Sequence, residues 1–109
     1  MTEETWASGI GAYRAEIDGI DEKVIEAIAL RFAAARKIAE LKSKWEKPVV
    51  QTERALQVEQ SYIELGSNFS LSKDFMSRLY HLIHEETCRV EADIVHLQQQ
   101  IEGHGEEIG

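Results

Sequence analysis

Three cations, Arg14, Arg31 and Lys42, are the residues of this chain whose spacing could carry chemistry. Arg31 and Lys42 are eleven residues apart, about three helical turns, so they share one face of any helix that holds both. Arg14 lies seventeen residues before Arg31, about 25 Å along such a helix and about 100° round it. One small ligand cannot touch Arg14 and Arg31 of the same straight helix. It can touch both if a second copy runs antiparallel and supplies its own Arg14. Arg54 follows further on, and seven of the twelve Lys and Arg fall between Arg31 and Arg54 beside only three acids. A local excess of positive charge in a chain of net charge −8 is either a solvated basic face or a pocket for a small anion. The overall acidity argues against nucleic acid or an anionic membrane as partner.

Other chemistries find little support. His81 and His84 sit one turn apart beside Glu85, but HLIHEET is not the two-histidine helix motif of zinc hydrolases. No cysteine pair accompanies them, so a surface or half-buried role is expected and no metal. The chain has no glycine-rich phosphate loop, nucleophile elbow or cofactor fingerprint, so an enzyme of this sequence is expected to work without cofactor or covalent intermediate. A lone cysteine, Cys88, suits a reducing compartment. MTEETWASG has no apolar run to act as a signal peptide, and no eighteen-residue apolar run occurs, which makes the cytoplasm the expected location.

The elements that must position these residues are helices. From Tyr13 to Trp45 apolar residues recur in steps of three or four (Ile17, Ile20, Val24, Ile28, Phe32, Ala35, Ile38, Leu41), the period of one amphipathic helix. Thirty-three residues make a rod of about 50 Å, whereas a compact chain of 109 residues has a radius of gyration of about 13 Å. The rest of the chain is too short to wrap it, so a partner subunit is expected. Residues 1–10 read as a flexible lead-in, with Gly9 and Gly11 delaying the helix. Pro48 stops it, and a second helix fits Glu53–Leu65 with Gln51 or Thr52 near its N-cap and Gly66 as its stop. Ser70 or Ser72 caps a third, running to about Gln100 with a seam of Met76, Tyr80, Ile83, Thr87, Val90, Ile94, Leu97 and Ile101. The glycine-rich tail, 102–109, reads as disordered. The expected fold is all-α: three helices, long, short and long, over 11–101, forming an intertwined homodimer.

Four segments in order resemble the all-α class of chorismate mutases and the isochorismate pyruvate lyases that share that fold. YRAEIDGIDEKVIEAIALR resembles the opening pattern, with Arg31 ten residues after the second aspartate. Lys42 then follows at the family's spacing. KPVVQTER resembles the loop and second-helix start, with Arg54 in the arginine position. RLYHLIHEETCRVE resembles the third-helix segment, with Thr87 and Glu91 on one face.

The resemblance implies conversion of chorismate to prephenate in a cationic pocket shared across a homodimer. Arg31 and the partner's Arg14 would pair with the two carboxylates of the small dicarboxylate substrate. Lys42 would sit between a carboxylate and the ether oxygen. Thr87 would donate to the ring carboxylate, and Arg54 would reinforce the positive field. Glu91 would face the ether oxygen where many such mutases have glutamine, and a carboxyl there must carry its proton to donate. Ala55 stands where a glutamate often binds the C4 hydroxyl; Gln51, one turn earlier, would partly substitute. The lyases also have a small apolar residue at the position of Ala55, and 4-amino-4-deoxychorismate mutases must read an amine at C4, so both activities stay open. A non-catalytic helical scaffold or regulatory dimer, its cations serving only salt bridges, is the contrasting reading.

Overall fold

A computed structural model describes the backbone of residues 2–108 and the side chains of residues 2–101. Three helices follow in order: α1 (Glu3–Lys44), α2 (Thr52–Asn68) and α3 (Lys73–Ile108), with no strand among the described residues. The all-α, long–short–long architecture is therefore as expected. The chain divides into two compact units, Met1–Ala33 and Ala34–Gly109.

In the first unit, α1 starts at Glu3 rather than near residue 11. Thr2 supplies the reason: its Oγ1 accepts the Thr5 N–H at 3.2 Å, and Glu3 and Glu4 occupy the first turn, where the helix dipole favours acids. Gly9 and Gly11 cost the helix about 1 kcal/mol each, too little to delay it behind such a cap. Ile17, Ile20 and Val24 form an apolar stripe that is 50–54% exposed. The residues assigned to the tail, 102–109, lie outside those fully described.

The second unit holds the core. Ala35, Ala39, Met76, Tyr80 and Val90 are its buried apolar residues, so the third-helix seam packs as its period requires up to Ile94. Leu97 and Ile101 continue the seam but stand exposed. Helices α2 and α3 pack on each other. Tyr62 meets Tyr80 edge-on, with ring centroids 5.5 Å apart, and Glu59 pairs with His81 at 2.6 Å. His84 is half-buried and stacks on Tyr80. Among the described residues no group of three or more His, Cys, Asp or Glu is arranged to hold a metal. No helix there is long and apolar enough to cross a membrane.

Two helix ends differ from the expected chemistry. Gly66 does not stop α2; it lies inside the helix, buried, and a Cβ there would meet Met76 Cγ at 2.3 Å. Its role is close approach of α2 to α3. The stop comes later, at Ser70, which takes the left-handed conformation (φ 60°) while the Leu71 N–H reaches back to the Gly66 carbonyl at 2.9 Å. That is a Schellman closure with serine in glycine's usual place. Helix α1 ends the same way: Glu46 has φ 53°, and the Lys47 N–H donates to the Lys42 carbonyl at 2.7 Å. Of the two serines expected to cap α3, Ser72 does so, its Oγ accepting the Phe75 N–H at 3.1 Å.

Candidate active site

The second unit brings together two residues that are 49 positions apart. Lys42, near the end of α1, donates from Nζ to Glu91 Oε1 of α3 at 2.7 Å. The same ammonium donates to the main-chain carbonyl of Val49 at 2.6 Å. Both side chains are largely withdrawn from water, Lys42 at 15% and Glu91 at 6% exposure. Burying either charge alone would be costly, so each is the condition for the other. Glu91 is thereby not the plain surface residue that its type alone would suggest.

Around this pair, α3 presents Thr87 one turn before Glu91. Thr87 is half-buried, and its Oγ1 donates to the Ile83 carbonyl at 2.7 Å, bonding back along its own helix. A role as donor to a ligand would require that hydroxyl to rotate. Cys88 packs beside them, with Sγ 3.6 Å from His84 Nε2. Burial, and then the negative charge of Glu91, push its thiol pKa up, against a smaller opposing effect of Lys42. A thiol held neutral is a poor nucleophile, so the proximity of Cys88 and His84 does not make a catalytic dyad.

The start of α2 supplies the remaining residues of this unit. Gln51 is the N-cap residue with extended backbone; its side chain makes no capping bond, and its carbonyl accepts the Ala55 N–H at 3.0 Å. Ala55 is half-buried and offers only a methyl, while Arg54 is exposed. Arg14 and Arg31 belong to the first unit, Arg14 exposed and Arg31 half-buried. Sequence reasoning missed the Val49 carbonyl. Every residue has such an acceptor, so no residue type marks this one.

The second unit can therefore present a buried, fixed ammonium with a carboxyl group against it. Such a site suits electrostatic stabilisation of charge developing on an oxygen.

The chain is similar to several known proteins. Among the relatives, a 4-amino-4-deoxychorismate mutase of Streptomyces pristinaespiralis is 29% identical over 82 residues, covering 75% of this chain and 64% of that protein. A second 4-amino-4-deoxychorismate mutase, from Streptomyces venezuelae, is 31% identical over 78 residues, 72% of this chain and 76% of the relative. A bifunctional chorismate mutase/prephenate dehydratase of Buchnera aphidicola subsp. Schizaphis graminum is 32% identical over 76 residues, 70% of this chain but only 20% of that longer protein. The chain thus spans under two thirds of the first of these and a fifth of the last. The family described as Chorismate mutase type II matches residues 13–92, a span that holds all eight site residues. By that match, on a helical frame that buries Lys42 against Glu91, the chain belongs to the chorismate mutase type II family.

Proposed function

We propose that this chain is a chorismate mutase that rearranges chorismate to prephenate without cofactor. The observation that carries the reading is the buried Lys42–Glu91 pair, in a chain whose family match spans residues 13–92. In the rearrangement the ether C–O bond breaks as a C–C bond forms at the ring carbon bearing the carboxylate. No atom enters or leaves. The protein has only to hold the compressed conformer and stabilise charge growing on the ether oxygen. Lys42 donates to that oxygen, and Glu91, when protonated, is the second donor.

Arg31 binds one substrate carboxylate and Thr87, once rotated, the ring carboxylate. Arg54 adds positive field, and Gln51 beside Ala55 meets the C4 substituent. The functional domain is 11–101, working in the cytoplasm as a homodimer in which Arg14 of one copy completes the other copy's site. The apolar stripe Ile17, Ile20 and Val24, exposed in the single chain, is what such a partner would cover.

A second reading is 4-amino-4-deoxychorismate mutase. Ala55 provides no carboxylate for a C4 hydroxyl, and two Streptomyces relatives carry that name. Separate incubations with chorismate, 4-amino-4-deoxychorismate and isochorismate decide. Prephenate from the first supports the proposal, and the amino analogue of prephenate from the second alone supports the other reading. Salicylate with pyruvate from the third would mark a lyase, and no turnover at all would leave a scaffold. Mixing inactive Arg14→Ala and Arg31→Ala subunits tests the shared site: activity returns in the exchanged heterodimers if Arg14 acts in trans, and stays absent if it does not.

A further inference from the structure

Lysine is a poor aiming device, since four rotatable bonds and about 2 kcal/mol of side-chain entropy oppose any single position of its ammonium. Lys42 overcomes this with two acceptors from two different parts of the chain. Glu91 Oε1 comes from α3 at 2.7 Å, and the Val49 carbonyl comes from the connection 45–51 at 2.6 Å. An ammonium has three N–H donors in tetrahedral arrangement. With two committed, the direction of the third is determined, and no third partner meets it among the described residues.

The connection that brings the Val49 carbonyl is itself held at both ends. At its start the Lys47 N–H closes on the carbonyl of Lys42, the same residue whose ammonium it will meet, at 2.7 Å, and Glu46 takes the left-handed conformation. Pro48, next to Val49, has its φ locked by its ring. At the far end the Gln51 carbonyl accepts the first turn of α2 through the Ala55 N–H at 3.0 Å. So the connection leaves Lys42, turns back, and places a carbonyl on that residue's own side-chain nitrogen.

We propose that the Val49 main-chain carbonyl is a positioning group for the site: with Glu91 it aims Lys42, so that a single N–H is presented to an anionic or ether oxygen of the ligand. The ligand then meets a donor that has no other bond to break and no rotamer to select, which is preorganisation in the electrostatic sense. The proposal rests on the mutase reading for the identity of the ligand, but not for the aiming itself.

The test starts on the unmodified protein. Proton–nitrogen NMR spectra tuned to lysine ammonium groups are recorded, with the Lys42 signal assigned by its loss in Lys42→Arg. The Lys42 ammonium should exchange with water at least about tenfold more slowly than that of exposed Lys47, because its protons are bonded and sheltered. In Pro48→Gly, which loosens the connection while leaving Lys42 and Glu91 in place, that protection should fall and kcat/KM should drop about tenfold with helix content unchanged. Lys42 protons exchanging as fast as those of Lys47 in the unmodified protein would overturn the proposal, whether or not the variant folds. So would a folded Pro48→Gly with both readouts unmoved. Protection without turnover of any chorismate-type substrate would sink the functional reading instead, and leave the aiming of Lys42 standing.

Discussion

Lys42 and Glu91 neutralise each other before any ligand arrives, and two predictions follow from that pairing. Lys42→Met leaves the Glu91 carboxylate buried without a partner, which should destabilise the fold by about 3–5 kcal/mol at pH 7. Urea unfolding of the variant beside the unmodified protein checks the size, and an unchanged midpoint would refute it. On the proposed mechanism Glu91→Gln keeps a hydrogen-bonding group beside the ether oxygen and should retain kcat/KM, whereas Glu91→Ala should lower it at least about tenfold. A folded Glu91→Ala with unchanged kcat/KM would remove Glu91 from the proposed mechanism. Spacing drew attention to Lys42 and resemblance to family segments singled out both Lys42 and Glu91, but their pairing was not legible. Which helix faces meet is decided by packing between residues far apart in sequence. The Val49 carbonyl was invisible for a different reason, being main chain, and the back-bonded hydroxyl of Thr87 needed the helix before its acceptor, the Ile83 carbonyl, could be traced.

Helices α2 and α3 approach closely because residue 66 has no side chain. Gly66→Ala would drive a methyl into Met76, which is buried and has little room to move. Overpacking of this kind costs about 1–3 kcal/mol, so a fall in thermal midpoint is expected, partly recovered by adding Met76→Ala. A midpoint equal to that of the unmodified protein would mean the two helices can slide apart without penalty. The same glycine shows where element-level reading succeeds and fails. The three-and-four periodicity of apolar residues located all three helices. Their ends were harder, because glycine signals both a helix stop and a tight helix crossing, and only the packed structure separates the two uses. Left-handed closures at Glu46 and Ser70 carry no such signal, since neither residue type favours that conformation over its neighbours.

At the scale of the whole molecule, the stripe Ile17, Ile20 and Val24 ties assembly to activity if Arg14 acts across an interface. A charge introduced there, Val24→Glu, should shift light-scattering mass from dimer to monomer and abolish turnover together. A monomer that keeps full activity would refute the shared site. That a rod of helical sequence lacks cover was legible from its length, whereas what covers it depends on how chains pack together, which apolar periodicity does not specify. Assembly of the single chain has its own order. Lys42 and Glu91 are 49 residues apart, so their bond cannot form until the end of α1 has met α3. Contacts that close so large a loop come late, after the local helices exist. Weakening the pair should therefore speed unfolding while leaving the refolding rate nearly unchanged, as the two arms of a denaturant chevron for Glu91→Gln would show. A slowed refolding arm would place the pair in the folding nucleus instead. On this account the site acts as a clasp: it governs how long the folded chain lasts, and has little part in how quickly it forms.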